Sequence, residues 1–417
     1  MKSYPTNVRA SVNSASLPGL VITLILLALP AYGQAPQAAG PERIPIKSEV
    51  LGEGRVILVR TPPGYQANGL RYPVLYMTDG DAHIAHTTST IEFLARNGRI
   101  PELIVVGITN TDRTRDLTPT NAMMLGPDSS AIELPTSGGA DKFLKFIETE
   151  VIPHVEGRYR TQPYRILAGH SFGGLFAVHT MLSRPSLFNA FISVSPSLQW
   201  DNQLLIKRSE ELFKANKEWN KTLYLSLGNE PGLISEGFEK FKGLLSKGGP
   251  KGLDWEAEHM EDEDHGSVVL RSHYKGLRKI FAGWQIARDP QTGAILGGLR
   301  AAEDHFRNLT RKYGYTIPVP ENLINLLGYQ LLNGGKIDEA IAAFKSNVER
   351  YPASANVYDS LAEAYERTGR LDLARPNYEK AYTLGKQNND PNTEIFRTNF
   401  ERVSDKAKQV DANVKKP

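Results

Sequence analysis

The chain has 417 residues, of which 40% are hydrophobic and 23% charged, so it is too long for one ordinary core and two domains are expected. The formal net charge of +3 excludes the strongly basic surface that nucleic-acid-binding proteins carry. There is no cysteine, which excludes disulfides, thiolate metal sites and a cysteine nucleophile.

The first 33 residues have the layout of a secretory signal peptide. A weakly basic start precedes an apolar run over residues 20–29, followed by Pro30 and small residues up to Gly33. A membrane anchor is the alternative, but this run is shorter than the about 20 apolar residues that span a bilayer. We therefore expect export to the periplasm or the medium, cleavage near Gly33, no membrane span after cleavage, and a flexible leader over residues 34–43.

Residues 44–286 alternate strand-like apolar runs with helical patterns, which predicts an α/β fold with a mainly parallel sheet and helices on both faces. A helical stretch at 142–154 is expected to cover one face. The predicted strands are 55–60, 73–77, 103–108, 164–168, 190–194, 222–227 and 253–259.

The sequence Gly169-His170-Ser171-Phe172-Gly173-Gly174 lies between predicted strand 164–168 and an amphipathic run at 175–183. This position predicts a nucleophile elbow, a sharp strand-to-helix turn that presents a serine. The residues two before and two after the serine crowd each other there, so both positions require a residue that is nearly free of side chain. Gly169 and Gly173 meet this requirement. An ordinary glycine-rich turn is the alternative, but the strand before and the helix after favour Ser171 as the nucleophile.

In an α/β-hydrolase the acid and then the histidine follow the nucleophile, each on a loop after a later strand. His265 lies just after predicted strand 253–259 and is the expected general base; His259, at the end of that strand, is the alternative. Glu230 follows predicted strand 222–227 and is the expected acid that orients the imidazole. The rival carboxylates are Asp201, Asp262 and Asp264.

Acyl transfer also needs amide donors for the developing oxyanion, and the backbone N–H groups of Phe172 and Asp81 are expected to supply them. A metal site is the alternative interpretation of Asp79 and Asp81, but the neighbouring pair His83 and His86 lacks a clear third ligand, so neither metal nor cofactor is predicted. His170 is assigned to packing, because the tight elbow directs its ring away from the serine hydroxyl.

Residues 287–298 form the expected linker to a helical domain at 299–417, because strand patterns stop after Gly283. An internal repeat marks that domain, since five positions recur 34 residues later: Leu327, Leu331, Gly335, Ala340 and Phe344 match Leu361, Tyr365, Gly369, Ala374 and Tyr378. This period resembles the tetratricopeptide repeat, with units at 321–354 and 355–388. Pro376 is expected to kink or shorten the second helix of the second unit. A protein partner or self-association through this domain is a further expectation.

Four motifs together resemble the putative-esterase family, near its enterochelin-esterase-like branch. They are residues 73–81, residues 106–119, Gly169–Gly174 and residues 265–268, and the resemblance covers about 44–283. It implies an α/β-hydrolase fold, hydrolysis of a small-molecule ester, Ser171 and His265 as catalytic residues, and Asp81 with Phe172 at the oxyanion hole.

Two further residues are expected near the substrate: Arg113, which could hold an anionic group, and Trp200, which could stack on an aromatic acyl part. Surface ion pairing and lid packing are the alternative. The predicted function is therefore an exported serine esterase. An acyltransferase on the same fold and a catalytically idle scaffold that recruits a partner are the alternatives.

Overall fold

The computed structural model describes residues 40–125, 131–215 and 218–414. The predicted signal peptide and the leader up to residue 39 lie outside the described residues. In the described part of the chain, none of the helices combines the length and apolar character that a membrane crossing requires. Pro41–Pro417 forms one compact unit.

An eight-stranded sheet, in the spatial order β1-β2-β4-β3-β7-β8-β9-β10, is the centre of the fold. Its strands are β1 (Glu42–Ser48), β2 (Glu53–Arg60), β3 (Tyr72–Met77), β4 (Ile104–Ile108), β7 (Thr161–His170), β8 (Ala190–Val194), β9 (Lys221–Leu227) and β10 (Leu253–His259). Strand β2 pairs antiparallel with β1 and β4, and the other neighbours pair in parallel. A separate two-stranded hairpin joins β5 (Met124–Leu125) to β6 (Ala131–Ile132). The predicted α/β class is confirmed.

Helices cover both faces of the sheet and make up the C-terminal region. They are α1 (Gly80–Arg96), α2 (Arg113–Leu117), α3 (Ala140–Phe146), α4 (Ile152–Arg158), α5 (Phe172–Ser183), α6 (Trp200–Lys214), α7 (Leu233–Gly248), α8 (Val268–Ile280), α9 (Gly298–Tyr313), α10 (Glu321–Asn333), α11 (Ile337–Arg350), α12 (Ala355–Arg367), α13 (Leu371–Asn388) and α14 (Thr393–Val414). A 3-10 turn lies at Tyr65–Ala67, and a π-helical turn at Ile147–Val151 joins α3 to α4 within the predicted helical stretch.

The central strands β3, β4 and β8 are buried at every residue, as expected for parallel strands covered on both faces. Edge strand β1 was missed in the sequence, and the predicted leader to residue 43 is wrong at its end because β1 begins at Glu42. Pro45 lies within β1, and proline weakens a strand pattern because only edge positions tolerate it.

The C-terminal helices share a core with the sheet. Phe306 and Tyr313 of α9 and Leu327 of α10 belong to the same buried cluster as Leu277 of α8 and Ile192 of β8. The predicted helical domain therefore shares one hydrophobic core with this face of the sheet.

Helix starts in the C-terminal region recur at the predicted offset of 34 residues, since α10 and α12 begin at Glu321 and Ala355, and α11 and α13 at Ile337 and Leu371. The expected shortening at Pro376 is wrong, because α13, the second helix of the second unit, continues past this residue to Asn388. Its buried side chains offset the hydrogen bond that proline removes; they are Ala374, Tyr378, Ala381 and Leu384.

Candidate active site

Ser171 lies between the end of β7 and the start of α5, with φ 61° and ψ −114°. A positive φ is uncommon for a residue with a side chain and marks a strained turn. Two backbone hydrogen bonds hold the turn: Ser171 N donates to Val194 O (2.9 Å) and Leu175 N donates to Ser171 O (2.9 Å). The predicted strand-turn-helix context of the serine is therefore present.

Glycines allow the elbow to pack closely against its surroundings. A Cβ on Gly169 would lie 2.2 Å from Gly173 O, and one on Gly173 would lie 2.2 Å from Thr78 Oγ1, in the loop between β3 and α1. Both distances are too short for any side chain. The close approach of these backbones brings the start of α5 against the loop that precedes α1.

Two helix N-termini meet at this place. Phe172 is the first residue of α5 and Asp81 lies in the first turn of α1. Amide groups in the first turn of a helix have no partner within the helix, and the helix dipole adds positive potential there. The arrangement therefore suits an oxyanion.

The His265 ring is hydrogen-bonded to Glu230, with 2.5 Å between Nδ1 and Oε2. A carboxylate oxygen accepts, so Nδ1 carries the proton and Nε2 is left as a base. The other carboxylate oxygen of Glu230 accepts from Ser195 Oγ at 2.5 Å and from Gly228 N at 3.2 Å. Burial of the Glu230 carboxyl acts to raise its pKa, but the hydrogen bonds from His265 and Ser195 outweigh it and hold the pKa below its usual range.

The loop that carries His265 is attached to the loop that carries Glu230. Asn229 N donates to Glu263 O at 2.6 Å, and a Cβ on Gly228 would lie 2.7 Å from Asp264 O. This close contact fixes the spacing of the two loops, and with it the distance between imidazole and carboxylate.

The alternative acids hydrogen-bond or pair with other groups, and the alternative base faces solvent. Asp264 Oδ1 accepts from the amides of Gly266 and Ser267 at 2.8 and 2.7 Å. Asp262 pairs with Arg271, and Asp201 accepts from Thr120. His259 is exposed at the end of β10. Of the described carboxylates, Glu230 is the one that hydrogen-bonds the His265 ring.

Within the described residues, no hydrogen bond joins Ser171 Oγ to the His265 ring, although the elbow and the histidine loop touch through His170. The His170 ring centroid lies 4.5 Å from that of His265, and His170 Nε2 donates to His265 O at 2.7 Å. The assignment of His170 to packing therefore missed a polar contact. Catalytic hydrogen bonds are often long in the free enzyme and tighten when substrate binds.

Arg113 is engaged by protein groups. Its Nε and Nη2 atoms donate to the two oxygens of Asp79 at 2.6 and 3.1 Å, and Nη2 also donates to His170 O at 3.0 Å. The guanidinium lies 5.5 Å from the Phe172 ring centroid, and its side chain is 33% exposed. Arg113 thus ties the loop before α1 to the elbow, and part of it faces solvent.

Trp200 is 2% exposed and packs edge-on against Phe172, with 5.4 Å between ring centroids. Its Nε1 donates to Thr120 Oγ1 at 3.1 Å. A ring this buried offers no free face to a ligand, which favours the packing alternative for Trp200.

Three further histidines lie near His170. The rings of His83 and His86 lie 5.2 Å apart, and those of His83 and His170 lie 5.8 Å apart. Thr87 Oγ1 donates to His83 O at 2.7 Å and so accepts from His273 Nδ1 at 2.8 Å, and the His273 ring lies 5.6 Å from that of His86. No group of three or more potential ligands in the described part of the chain is placed to hold a metal ion. Burial lowers the pKa of each of these rings, that of His170 to about 4.

Ser195 and His170 are the two site residues that sequence reasoning missed. Ser195 follows β8 at the carboxyl edge of the sheet, where ligand-binding and catalytic groups of α/β proteins gather, and that position was the available signal.

Comparisons with known proteins bear on the family to which the chain belongs. The family described as "Putative esterase" matches residues 48–230. A siderophore enterobactin esterase from Emericella nidulans is 30% identical over 247 residues, which are 49% of this chain and 80% of that protein. The chain belongs to the putative-esterase family. The predicted carboxylic-ester hydrolase of the enterochelin-esterase type is thereby confirmed at the level of the family.

Other relatives of this esterase cover different shares of its length. The ferri-bacillibactin esterase BesA of Bacillus subtilis is 31% identical over 168 residues, 37% of this chain and 58% of that protein, so the match spans less than two thirds of BesA. The crystal structure of an IroE-like serine hydrolase from Shewanella oneidensis superposes with a TM-score of 0.65 and 28% identity, over 75% of this chain and 99% of that one. A protein from Capnocytophaga ochracea covers 87% of this chain with a TM-score of 0.61 and 16% identity, which is a likeness of fold.

Proposed function

We propose that this esterase hydrolyses a siderophore-type ester through an acyl-enzyme on Ser171, with His265 as general base and Glu230 as its orienting acid. One observation carries the proposal: His265 Nδ1 donates a 2.5 Å hydrogen bond to the buried Glu230, and the loop that carries His265 touches the strained serine turn. This is the arrangement of a serine hydrolase triad, in which the acid holds the imidazole in the tautomer that can accept a proton.

In the acylation step, Ser171 Oγ attacks the ester carbonyl carbon while its proton passes to His265 Nε2. The imidazolium that forms is stabilised by the Glu230 carboxylate, which is charged because its pKa lies below the usual range. The carbon–oxygen bond to the alcohol then breaks, and the alcohol leaves with the proton from His265. In deacylation, water gives a proton to His265 Nε2 while its oxygen attacks the acyl carbon. The bond from that carbon to Ser171 Oγ then breaks, Oγ takes the proton back from His265, and the acid leaves.

The negative oxygen of each tetrahedral intermediate would accept from the Phe172 and Asp81 amides. Both amides lie at helix N-termini that are packed together by Gly173 and Thr78, so they need not move as charge develops. Removal of one such donor typically costs on the order of 100- to 1000-fold in kcat.

The substrate class rests on relatives. The names of three relatives specify siderophores: enterobactin, ferri-bacillibactin and triacetylfusarinine C. We propose the same class for this chain, which would meet its substrate after export to the periplasm or the medium. The C-terminal region would act as tetratricopeptide-like repeats that present a surface to a protein partner or to a second copy.

The test uses purified protein. Its activity is measured first on a short p-nitrophenyl ester and then on a panel of siderophore, feruloyl, acetyl-sugar and peptide esters. Ser171→Ala should lose at least about a thousandfold in kcat/KM and all labelling by a fluorophosphonate probe. Ser89→Ala, an exposed serine on α1, is the matched control and should keep both.

Retained turnover in Ser171→Ala would refute the mechanism. Hydrolysis of other esters with no activity on any siderophore would refute only the substrate class. Product formed faster with an added alcohol than with water would identify an acyltransferase instead.

A further inference from the structure

His170 hydrogen-bonds the loop that carries His265 and, through Arg113, is connected to the loop before α1. Its ring Nε2 donates to the backbone carbonyl of His265 at 2.7 Å, and its own carbonyl accepts from Arg113 Nη2 at 3.0 Å. Arg113 is in turn paired with Asp79, which precedes α1. One residue therefore links the serine turn, the histidine loop and the loop of the expected oxyanion donor.

The bond to His265 differs from the other attachments of that loop. Asn229 holds Glu263 on one side, and Asp264 accepts from Gly266 and Ser267 on the other. The bond from His170 engages the peptide of His265 itself, whose side chain is 42% exposed and so receives little support from packing. Its loss would leave the imidazole held mainly by Glu230.

The chemistry of the contact fixes the state of the His170 ring. A carbonyl oxygen only accepts, so Nε2 carries a proton and the neutral ring has a bare Nδ1. Burial, together with the neighbouring His265 and His83, lowers the pKa of His170 to about 4, so the ring is uncharged at neutral pH. A neutral ring 4.5 Å from His265 can remain beside the imidazolium that forms during acylation without charge repulsion.

We infer that His170 is a positioning residue: its Nε2–H holds the His265 peptide against the serine turn and so sets the reach of His265 Nε2 to Ser171 Oγ. This inference rests on the proposed function. Nothing in the motif requires a histidine for folding of the turn, since the steric demands of the elbow fall on Gly169 and Gly173. A misplacement of about 1 Å between reacting groups can cost on the order of 100-fold in rate.

The test compares three substitutions that differ in reach and in donor capacity. In His170→Gln the side-chain amide can reach the position of Nε2 and donate, in His170→Asn the amide is too short, and in His170→Met the length is kept without a donor. His259→Gln, at an exposed histidine, is the control. Each variant is assayed for kcat and KM with a p-nitrophenyl ester at neutral pH, for the rate of fluorophosphonate labelling, and for its melting temperature.

We expect kcat of the Met and Asn variants to fall about 10- to 100-fold with KM within about twofold, while the Gln variant stays within about threefold of the parent. The labelling rate should follow kcat. Equal losses in the Gln and Asn variants, or full kcat in the Met variant, would overturn the inference, and the Gln–Asn pair decides if the Met variant fails to fold. If Ser171→Ala remains active the proposed function fails; if it is inactive and His170→Met is not impaired, only the role of His170 fails.

Discussion

Removal of the Ser195 hydroxyl tests how much its hydrogen bond to Glu230, the proposed acid, contributes to activity and stability. Ser195 is fully buried, its Oγ donates to Glu230 Oε1 at 2.5 Å, and its backbone is in the left-handed region with φ 41°. Ser195→Ala keeps the Cβ and the backbone, so it adds no new strain. It leaves Glu230 Oε1 with the longer bond from Gly228 N, at 3.2 Å.

The size of the effect follows from the charge on the acceptor. A hydrogen bond to a charged group contributes about 1.5–3 kcal/mol, and its loss leaves the carboxylate less able to stabilise the imidazolium. Because each 1.36 kcal/mol corresponds to about tenfold in rate, kcat/KM should fall by about 10- to 150-fold if the whole loss appears in the transition state. The free energy of unfolding should fall by a similar amount at neutral pH, since Glu230 is buried.

The pH dependence of the stability that Glu230 contributes has a definite sign. The pKa of Glu230 is held below its usual range in the folded protein, so its contribution to stability is present above that usual value and is lost as the pH falls. Ser195→Ala removes one of the causes, so its unfolding free energy should differ from that of the parent less at acid pH than at neutral pH. Urea unfolding at several pH values measures this directly.

Ser193→Ala is the matched control, because Ser193 lies on β8 two residues before Ser195, is equally buried, and donates to Gly174 O rather than to Glu230. It should lower stability without the loss in kcat/KM. Unchanged kcat/KM in Ser195→Ala, together with a large loss in Glu230→Gln, would refute the reasoning that the serine hydroxyl supports the acid.

Three further predictions concern stability. Burial depresses the pKa of four histidines, so below their ordinary pKa of about 6.5 the unfolded chain binds more protons than the folded protein. The free energy of unfolding, measured by urea titration, should therefore fall between pH 7 and pH 5, by about 2 kcal/mol for His170 alone. A flat profile would contradict this. These four are His83, His86, His170 and His273. Gly80→Ala places a Cβ 2.4 Å from the Gly107 carbonyl carbon and should lower the melting temperature sharply, whereas Gly157→Ala, with open space around it, should not. Arg55→Met removes the 2.7 Å partner of buried Asp116, which keeps its 2.8 Å bond from Arg115, and should therefore cost about 1.5–3 kcal/mol in urea unfolding; a loss below about 0.5 kcal/mol would show that the Arg55 pair is dispensable.

The sheet and the serine turn could be predicted because their signals are local. Strands β8 and β10 have the predicted bounds, and the glycines around Ser171 mark the turn directly. The contacts of His170 and Ser195 leave no such pattern, because their partners lie 95 and 35 residues away in the chain. Such pairings depend on how loops after different strands meet, which the order of elements alone does not specify.

The boundary of the C-terminal region was predicted from the disappearance of strands, which is a statement about secondary structure and not about packing. Residue Ile295, within the predicted linker, is 6% exposed and belongs to the core on the sheet face. The shared core is therefore a property that periodicity could not reveal.

Helix α10 takes part in two cores at once: Leu323, Ile324 and Leu327 pack in the cluster of the sheet, and Leu332 packs in the cluster of the last helices. Melting of either cluster would remove support from the other through this one helix. On heating, the hydrolase fold and its helical extension should therefore lose structure in a single calorimetric transition, and neither should behave as an independently folding module.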